Sequence, residues 1–155
     1  MAQEIEKKFL VVSDAWQDQV THSVSLRQGY LCGNTQASVR VRLAGEKADI
    51  NIKSATLGVE RQEFEYAIPP QEARELLDGL CMRPMIEKTR HYVPHAGHLW
   101  EVDVFEGDNA GLVVAEVELN APTDEPQLPS WVGQEVSHDP RYYNTSLVQH
   151  PFKNW

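Results

Sequence analysis

The sequence predicts a mainly β fold, with α content as a minority: a closed eight-stranded antiparallel barrel with a few flanking helices. Three observations carry that expectation. Apolar and polar residues alternate with a period of two along about eight short segments, as they do in strands with two unlike faces. Most of those segments follow one another through turn residues, in hairpin succession. Only one segment has the three-and-four spacing of a convincing amphipathic helix. An antiparallel sheet of this length usually curls or closes, which also removes its exposed edges.

The opening strand carries Glu4, Glu6 and Lys8 on alternate positions and runs on into Phe9-Leu10-Val11-Val12. Two carboxylates and an ammonium therefore share one face. Asp14 to Gln19 is a polar connection with room for one helical turn. Ser23 to Leu31 alternates as a second strand, and Gly33-Asn34-Thr35 has turn chemistry. Ser38 to Leu43 places Val39, Val41 and Leu43 opposite Arg40 and Arg42. A hairpin loop over Ala44 to Lys47 leads into Asp49 to Lys53, again apolar on one side.

Glu60 to Ile68 is the fifth strand, ended by Pro69-Pro70. The helix follows, from about Gln71 to Leu80, with Ala73, Leu76, Leu77 and Leu80 as its core stripe and Glu72 and Glu75 in its first turns. Met85 to Val93 is the sixth strand. Pro94 to Gly97 turns the chain into a seventh, Leu99 to Phe105. The eighth, Leu112 to Asn120, sets Val113, Ala115, Val117 and Leu119 against Glu116 and Glu118. Ala121 to Ser130 reads as a Pro-rich acidic loop, and a short helix near Arg141 to Val148 precedes the tail from His150 to Trp155.

With 155 residues, 1–155 is expected to form a single domain with a sizeable core. The 23 acidic residues against 14 Lys and Arg argue against a general nucleic-acid binder, which needs a net basic face. They leave room for a small anion in a local basic cleft. Cys32 and Cys81 have no metal-ligand spacing, the start Met-Ala-Gln-Glu carries acid rather than base, and no apolar run approaches membrane-spanning length. A cytoplasmic protein without a membrane partner is the expectation, and a homodimer is left open.

The polar faces hold the functional signal. For any one strand the simplest account is a half-solvated sheet, polar outside and apolar inside. Two features of the set favour the inverse. Charged pairs at i and i+2 recur on most strands, where solvated faces normally mix Thr, Ser, Gln and Lys. Like charges adjacent on a strand also destabilise it unless something of opposite sign lies between them. Turned inward around a wet bore, the carboxylate pairs Glu4/Glu6 and Glu116/Glu118 suit a hard divalent cation. Lys8, Arg40, Arg42, Lys53, Lys88 and Arg90 suit a linear polyanion, Arg as a bidentate fork. Acid beside base is what a metal–phosphate complex requires.

Glu4-Ile5-Glu6-Lys7-Lys8 resembles the Glu-x-Glu-x-Lys signature of the CYTH superfamily, the triphosphate tunnel metalloenzymes. The ordered series after it resembles the family too: Arg40-Val41-Arg42, Ile52-Lys53, Glu63-Phe64-Glu65, Lys88-Thr89-Arg90, Glu101 to Phe105, and Glu116-Val117-Glu118. Trp131 to Val136 and Tyr143-Asn144 look like its C-terminal region. The short link before the second strand resembles the compact bacterial members. That resemblance implies an eight-stranded triphosphate tunnel, Mg²⁺ or Mn²⁺ as cofactor, and metal-dependent hydrolysis of inorganic tripolyphosphate. It implies Glu4, Glu6, Glu116, Glu118 and Asp103 as metal ligands. It implies Lys8, Arg40, Arg42, Lys53, Lys88, Arg90 and Tyr30 as substrate-binding residues, with Lys8, Lys88, Arg90 and Glu116 catalytic. Glu63 and Glu65 would orient neighbours. Class IV adenylyl cyclase or thiamine triphosphatase activity on the same scaffold, and a noncatalytic polyphosphate-binding module, are the alternatives.

Two fainter signals remain. His91, His95 and His98 cluster around one hairpin and read as solvated turn residues before a transition-metal site. Phe152 and Trp155 fit either a plug at a tunnel end or a frayed tail.

Overall fold

The computed structural model describes residues 3–155. Alternation builds the strands where it is strongest: β1 (Gln3–Val11), β2 (His22–Gly33), β3 (Ala37–Ala44), β4 (Lys47–Ser54), β5 (Glu60–Ile68), β6 (Ile86–His95), β7 (His98–Phe105) and β8 (Val113–Glu118). A further strand, β9 (Val132–Glu135), lies in a segment expected only to resemble the family. Two α-helices, α1 (Pro70–Gly79) and α2 (Asn144–Gln149), and four short 3-10 turns complete the regular elements among the described residues. No helix among those residues is long and apolar enough to cross a membrane.

The strands run antiparallel in the order β5-β4-β3-β2-β6-β7-β8-β1, and β1 pairs back onto β5 to close an eight-stranded barrel. Closure is brief. Gln3, Glu4 and Ile5 face Gln62, Arg61 and Glu60, after which the register of β1 passes to β9 at Phe9 and Val11. The added strand thus covers an edge that closure leaves free.

Parity decides which face looks inward. On β1, Glu4, Glu6 and Lys8 enter the barrel, while Phe9 joins the outer cluster of Trp16, Val93, Trp100, Val102, Ala115, Val117 and Trp131. A second outer cluster forms where α1 lays Ala73 and Leu77, both fully buried, over Val41, Leu43 and Ala48. Here the expected helix stripe is corrected. Leu80 caps α1 outside its last turn and is 69% exposed, and Cys81 takes the place in the cluster. The helix ends one residue early, so Leu80 no longer follows the stripe.

The barrel interior is not wet throughout. Tyr30, Ile86, Phe105, Leu112 and Val114 fill one end, and Leu147 and Val148 of α2 close over them. Phe152 packs against that cluster, whereas Trp155 stacks edge-on to Tyr142 and Phe152 and stays 46% exposed. The expected short helix is itself shifted. Pro140 to Tyr142 forms a separate single turn opened by Asp139, whose side chain accepts from Arg141 N, and α2 starts only at Asn144.

Candidate active site

The remaining interior is a polar cavity of about 220 Å³. Glu4, Glu6, Lys8, Tyr30, Arg40, Arg42, Lys53, Lys88, Arg90, Glu116 and Glu118 all line it. Six of the eight barrel strands therefore bring eleven of the twelve expected site residues to one space. Asp103 is the exception. It is fully buried behind the lining, where Arg90 Nε and Nη2 reach its two oxygens at 2.8 and 2.9 Å and Lys88 Nζ meets Oδ2 at 2.8 Å.

Cross-strand register alternates the signs. Lys8 faces Glu116, Lys53 faces Glu63, Arg42 faces Asp49 and Arg90 faces Asp103. The contacts follow: Lys8 Nζ lies 3.5 Å from Glu116 Oε1, Lys53 Nζ 2.9 Å from Glu4 Oε2, and Arg90 Nη1 2.8 Å from Glu101 Oε2. Opposite charges directly across a sheet stabilise it, which makes a charged interior tolerable. The alternation fails at two pairs. Glu6 faces Glu118 and Glu101 faces Glu116, like against like.

Protonation reflects that imbalance. Burial first, and then the Glu116 and Glu4 charges, push the Glu6 carboxyl well above the ordinary range. Burial raises Glu101 to about 6. Burial also pushes Glu116 upward, but Lys8, Arg90, Lys88 and Lys53 outweigh it and hold this carboxyl well below its usual value. On the cationic side, burial depresses Lys88 to about 8 against the pull of Asp103. Burial, with Arg40 and Arg90 nearby, lowers Arg42 to about 10. Arg40, 4% exposed, has Nε and Nη2 buried with no protein partner. A buried guanidinium with idle donors is costly unless something else accepts from it.

Several residues in or behind the cavity wall carried no assigned role in the sequence. Gln28 is fully buried, and its Oε1 accepts from Arg42 Nε at 3.3 Å. Asn51 Nδ2 donates to Glu63 and Glu65 at 3.1 and 2.9 Å. Tyr143 lies under Lys8 and Arg61, whose cations sit 5.5 and 4.9 Å from its ring centre. Its hydroxyl donates to Ser137 O at 2.6 Å and accepts from Gly58 N at 2.9 Å. These neutral amides and rings break no charge pattern, so alternation alone gave them no signal. Arg61 and Glu101 did belong to that pattern without a role.

The three histidines do not converge. His91 Nδ1 shares a 2.6 Å hydrogen bond with Ser23 Oγ, and His95 faces His98 across the hairpin turn. No group of three or more His, Cys, Asp or Glu stands ready to hold a metal by itself among the described residues.

A closed antiparallel barrel with a charged bore, acid and base interleaved along its wall, is the class that fold and site define together. The family model described as CYTH domain matches residues 2–150, and the chain belongs to that family. A protein of Acetivibrio thermocellus named inorganic triphosphatase is 45% identical over 155 residues, covering 100% of this chain and 99% of that one. A second inorganic triphosphatase, from Nitrosomonas europaea, is 39% identical over 151 residues, covering 94% and 96%. A crystal structure of an inorganic triphosphatase aligns with a TM-score of 0.67 at 35% identity, over 94% of this chain and 97% of the other. A Hippeastrum structure described as an adenylyl cyclase candidate with a dominant triphosphatase activity shares the fold alone. It has a TM-score of 0.60 at 16% identity, over 77% and 80% of the two chains.

Proposed function

We propose that this chain hydrolyses inorganic tripolyphosphate to pyrophosphate and orthophosphate in a metal-dependent reaction inside the barrel. One observation carries the reading: six cationic side chains, Lys8, Arg40, Arg42, Lys53, Lys88 and Arg90, converge on a single cavity beside a surplus of carboxylates. Both curated relatives described above bear the matching name, and each aligns over nearly all of this chain.

The donor set fits a hard divalent cation. Facing carboxylates at Glu6 and Glu118, together with the raised Glu6 carboxyl, describe negative charge in want of a counterion. Glu4, Glu6, Glu116 and Glu118 would hold it, with phosphate oxygens completing the coordination as Mg²⁺ usually requires. Mg²⁺ and Mn²⁺ both suit this oxygen set. When bound, such an ion supplies charge neutralisation on the phosphate oxygens and lowers the pKa of water. Asp103, occupied by Arg90 and Lys88, is placed to anchor those cations instead.

Hydrolysis breaks one terminal P–O–P bond: water oxygen joins the terminal phosphorus, pyrophosphate leaves, and a proton is released. Phosphoryl transfer of this kind needs positioning and charge stabilisation more than covalent help. Arg40, Arg42 and Lys53 grip nonbridging oxygens, and Tyr30 adds a hydroxyl donor at the edge of the clamp. Lys8, Lys88 and Arg90 stabilise charge as it develops. Glu116 stays ionised throughout. Glu6, Glu101 and Glu118 are the cavity carboxyls held above the ordinary range, and Glu101, outside the metal set and raised to about 6, can take a proton near neutral pH.

A second reading has one observation behind it. A neighbouring cavity of about 760 Å³ shares Tyr30, Arg61 and Tyr143 with the bore and is lined further by Leu57, Met82 and Pro84. It is wide enough for the organic end of a larger triphosphate. A release assay over tripolyphosphate, ATP and thiamine triphosphate, with Mg²⁺, Mn²⁺ or a chelator, separates the readings. Orthophosphate from tripolyphosphate alone, abolished by chelator, is the expected result. Cyclic AMP from ATP or preferential cleavage of thiamine triphosphate would favour the second. Binding of tripolyphosphate without turnover under any metal would refute both.

A further inference from the structure

The cation clamp is built on one short stretch of chain, and that stretch is neutral. Lys8 Nζ donates to Tyr142 O at 3.1 Å. Tyr143 offers its ring to Lys8 and Arg61. Asn144 Oδ1 accepts from Lys88 Nζ at 3.2 Å and from Gln28 Nε2 at 3.0 Å, and Gln28 in turn accepts from Arg42. Three consecutive residues thus touch three cations directly and a fourth through one amide.

We propose that Asn144 is a positioning residue for the phosphate clamp, setting the Lys88 ammonium directly and the Arg42 guanidinium through Gln28. The inference rests on the reading of the bore as a triphosphate site.

The direction of both amides follows from chemistry. Ammonium and guanidinium groups only donate, so the atom of Asn144 beside Lys88 and the atom of Gln28 beside Arg42 must each be oxygen. That leaves the Gln28 amino group facing Asn144, as observed. Each link of the chain has one allowed sense.

The consequence for Lys88 is geometric. An ammonium has three N–H bonds in a tetrahedral fan. One points at Asp103 and one at Asn144, and Lys88 is among the residues that line the cavity. Two fixed acceptors lock the last torsions of the side chain, so the third N–H has a single direction left for substrate. For Arg42, Gln28 takes Nε, and nothing else accepts from this guanidinium among the described residues. Its terminal nitrogens stay available. A neutral acceptor orients a cation without cancelling its charge, whereas a carboxylate in the same place would compete with phosphate. Asn144 also opens α2, whose Leu147 and Val148 plug the barrel, and no side chain caps the start of that helix. The amide is therefore free of a helix-capping duty.

The test compares Asn144→Ala, Asn144→Asp and Val148→Ala with the parent, reading kcat, KM and Tm with tripolyphosphate and Mg²⁺. Asn144→Ala loses the geometry, so kcat should drop about 10- to 100-fold, the order set by small misplacements of reacting groups. Asn144→Asp keeps an acceptor but adds charge, so KM should rise about 10-fold, the order of one charge-assisted hydrogen bond. Val148→Ala loosens the plug and should lower Tm while leaving both kinetic parameters near the parent's. Parent-like kinetics in Asn144→Ala would overturn the proposal. So would equal losses in all three variants that simply track Tm, because they describe a structural residue. If the parent shows no turnover, the reading of the site fails first. Calorimetric binding of tripolyphosphate then decides the positioning claim, with weaker affinity for Asn144→Asp supporting it and unchanged affinity overturning it.

Discussion

Lys88 shows how far a single side chain carries the chemistry. It is fully buried, yet it keeps a carboxylate, an amide oxygen and the face of Phe105 within reach. Burial lowers its amine to about 8, so the clamp loses one positive charge as pH rises through that value. We expect kcat/KM for tripolyphosphate to fall above about pH 8, since this ratio reports the free enzyme. Lys88→Arg, which stays charged, should carry activity to higher pH before any decline. A basic limb unmoved in that variant would assign the titration elsewhere. The charged members of the site were legible in the sequence because parity is unforgiving: one residue of slippage would have turned every one of them outward. Gln28, Asn51 and Asn144 were not singled out for a role, because neutral amides leave no trace in a pattern of charges.

At the scale of elements, strands proved more legible than their ends. Val39, Val41 and Leu43 alternate against Arg40 and Arg42 because β3 has the bore on one side and α1 on the other. β9 has only four residues, two of them Gly133 and Gln134, too few for any period to emerge. The approach of the segment after α1 to β2 depends on a missing side chain. A Cβ on Gly29 would stand 2.8 Å from Cys81 Cβ and 3.3 Å from Leu77 Cδ2. Gly29→Ala should therefore destabilise the fold by about 1–3 kcal/mol, as overpacking does, seen as a lower urea midpoint at unchanged slope. Cys81→Gly in the same chain should return part of the loss. A Gly29→Ala protein as stable as the parent would show that this contact is not tight.

Across the whole molecule the barrel is a cup rather than an open pipe. α2 and the residues beneath it stop one end with apolar side chains, which no local pattern announces because Leu147 and Val114 lie far apart in sequence. What remains is a chamber in which like charges meet where Glu6 faces Glu118 and Glu101 faces Glu116. That imbalance has a sign in stability. With its carboxyl raised, the folded state keeps a proton on Glu6 that the unfolded chain has already released. This group therefore takes stability away as pH climbs above the ordinary carboxylate range. A divalent cation bound among these carboxylates removes the penalty and stabilises by mass action. Added Mg²⁺ or Mn²⁺ should raise Tm more at pH 8 than at pH 5, by scanning calorimetry, and Glu6→Gln should flatten the difference. An equal shift at both pH values would place the ion away from Glu6.

We expect triphosphate to be cleaved by the groups that face one another across this chamber. A ³¹P NMR time course of tripolyphosphate with Mg²⁺, run with the parent and with Arg90→Ala, tests it most directly. Pyrophosphate and orthophosphate should appear together from the parent, none with chelator, and the variant's rate should be at least ~100-fold lower, the order lost with one charge-stabilising donor. An Arg90→Ala protein that cleaves tripolyphosphate as fast as the parent would contradict it.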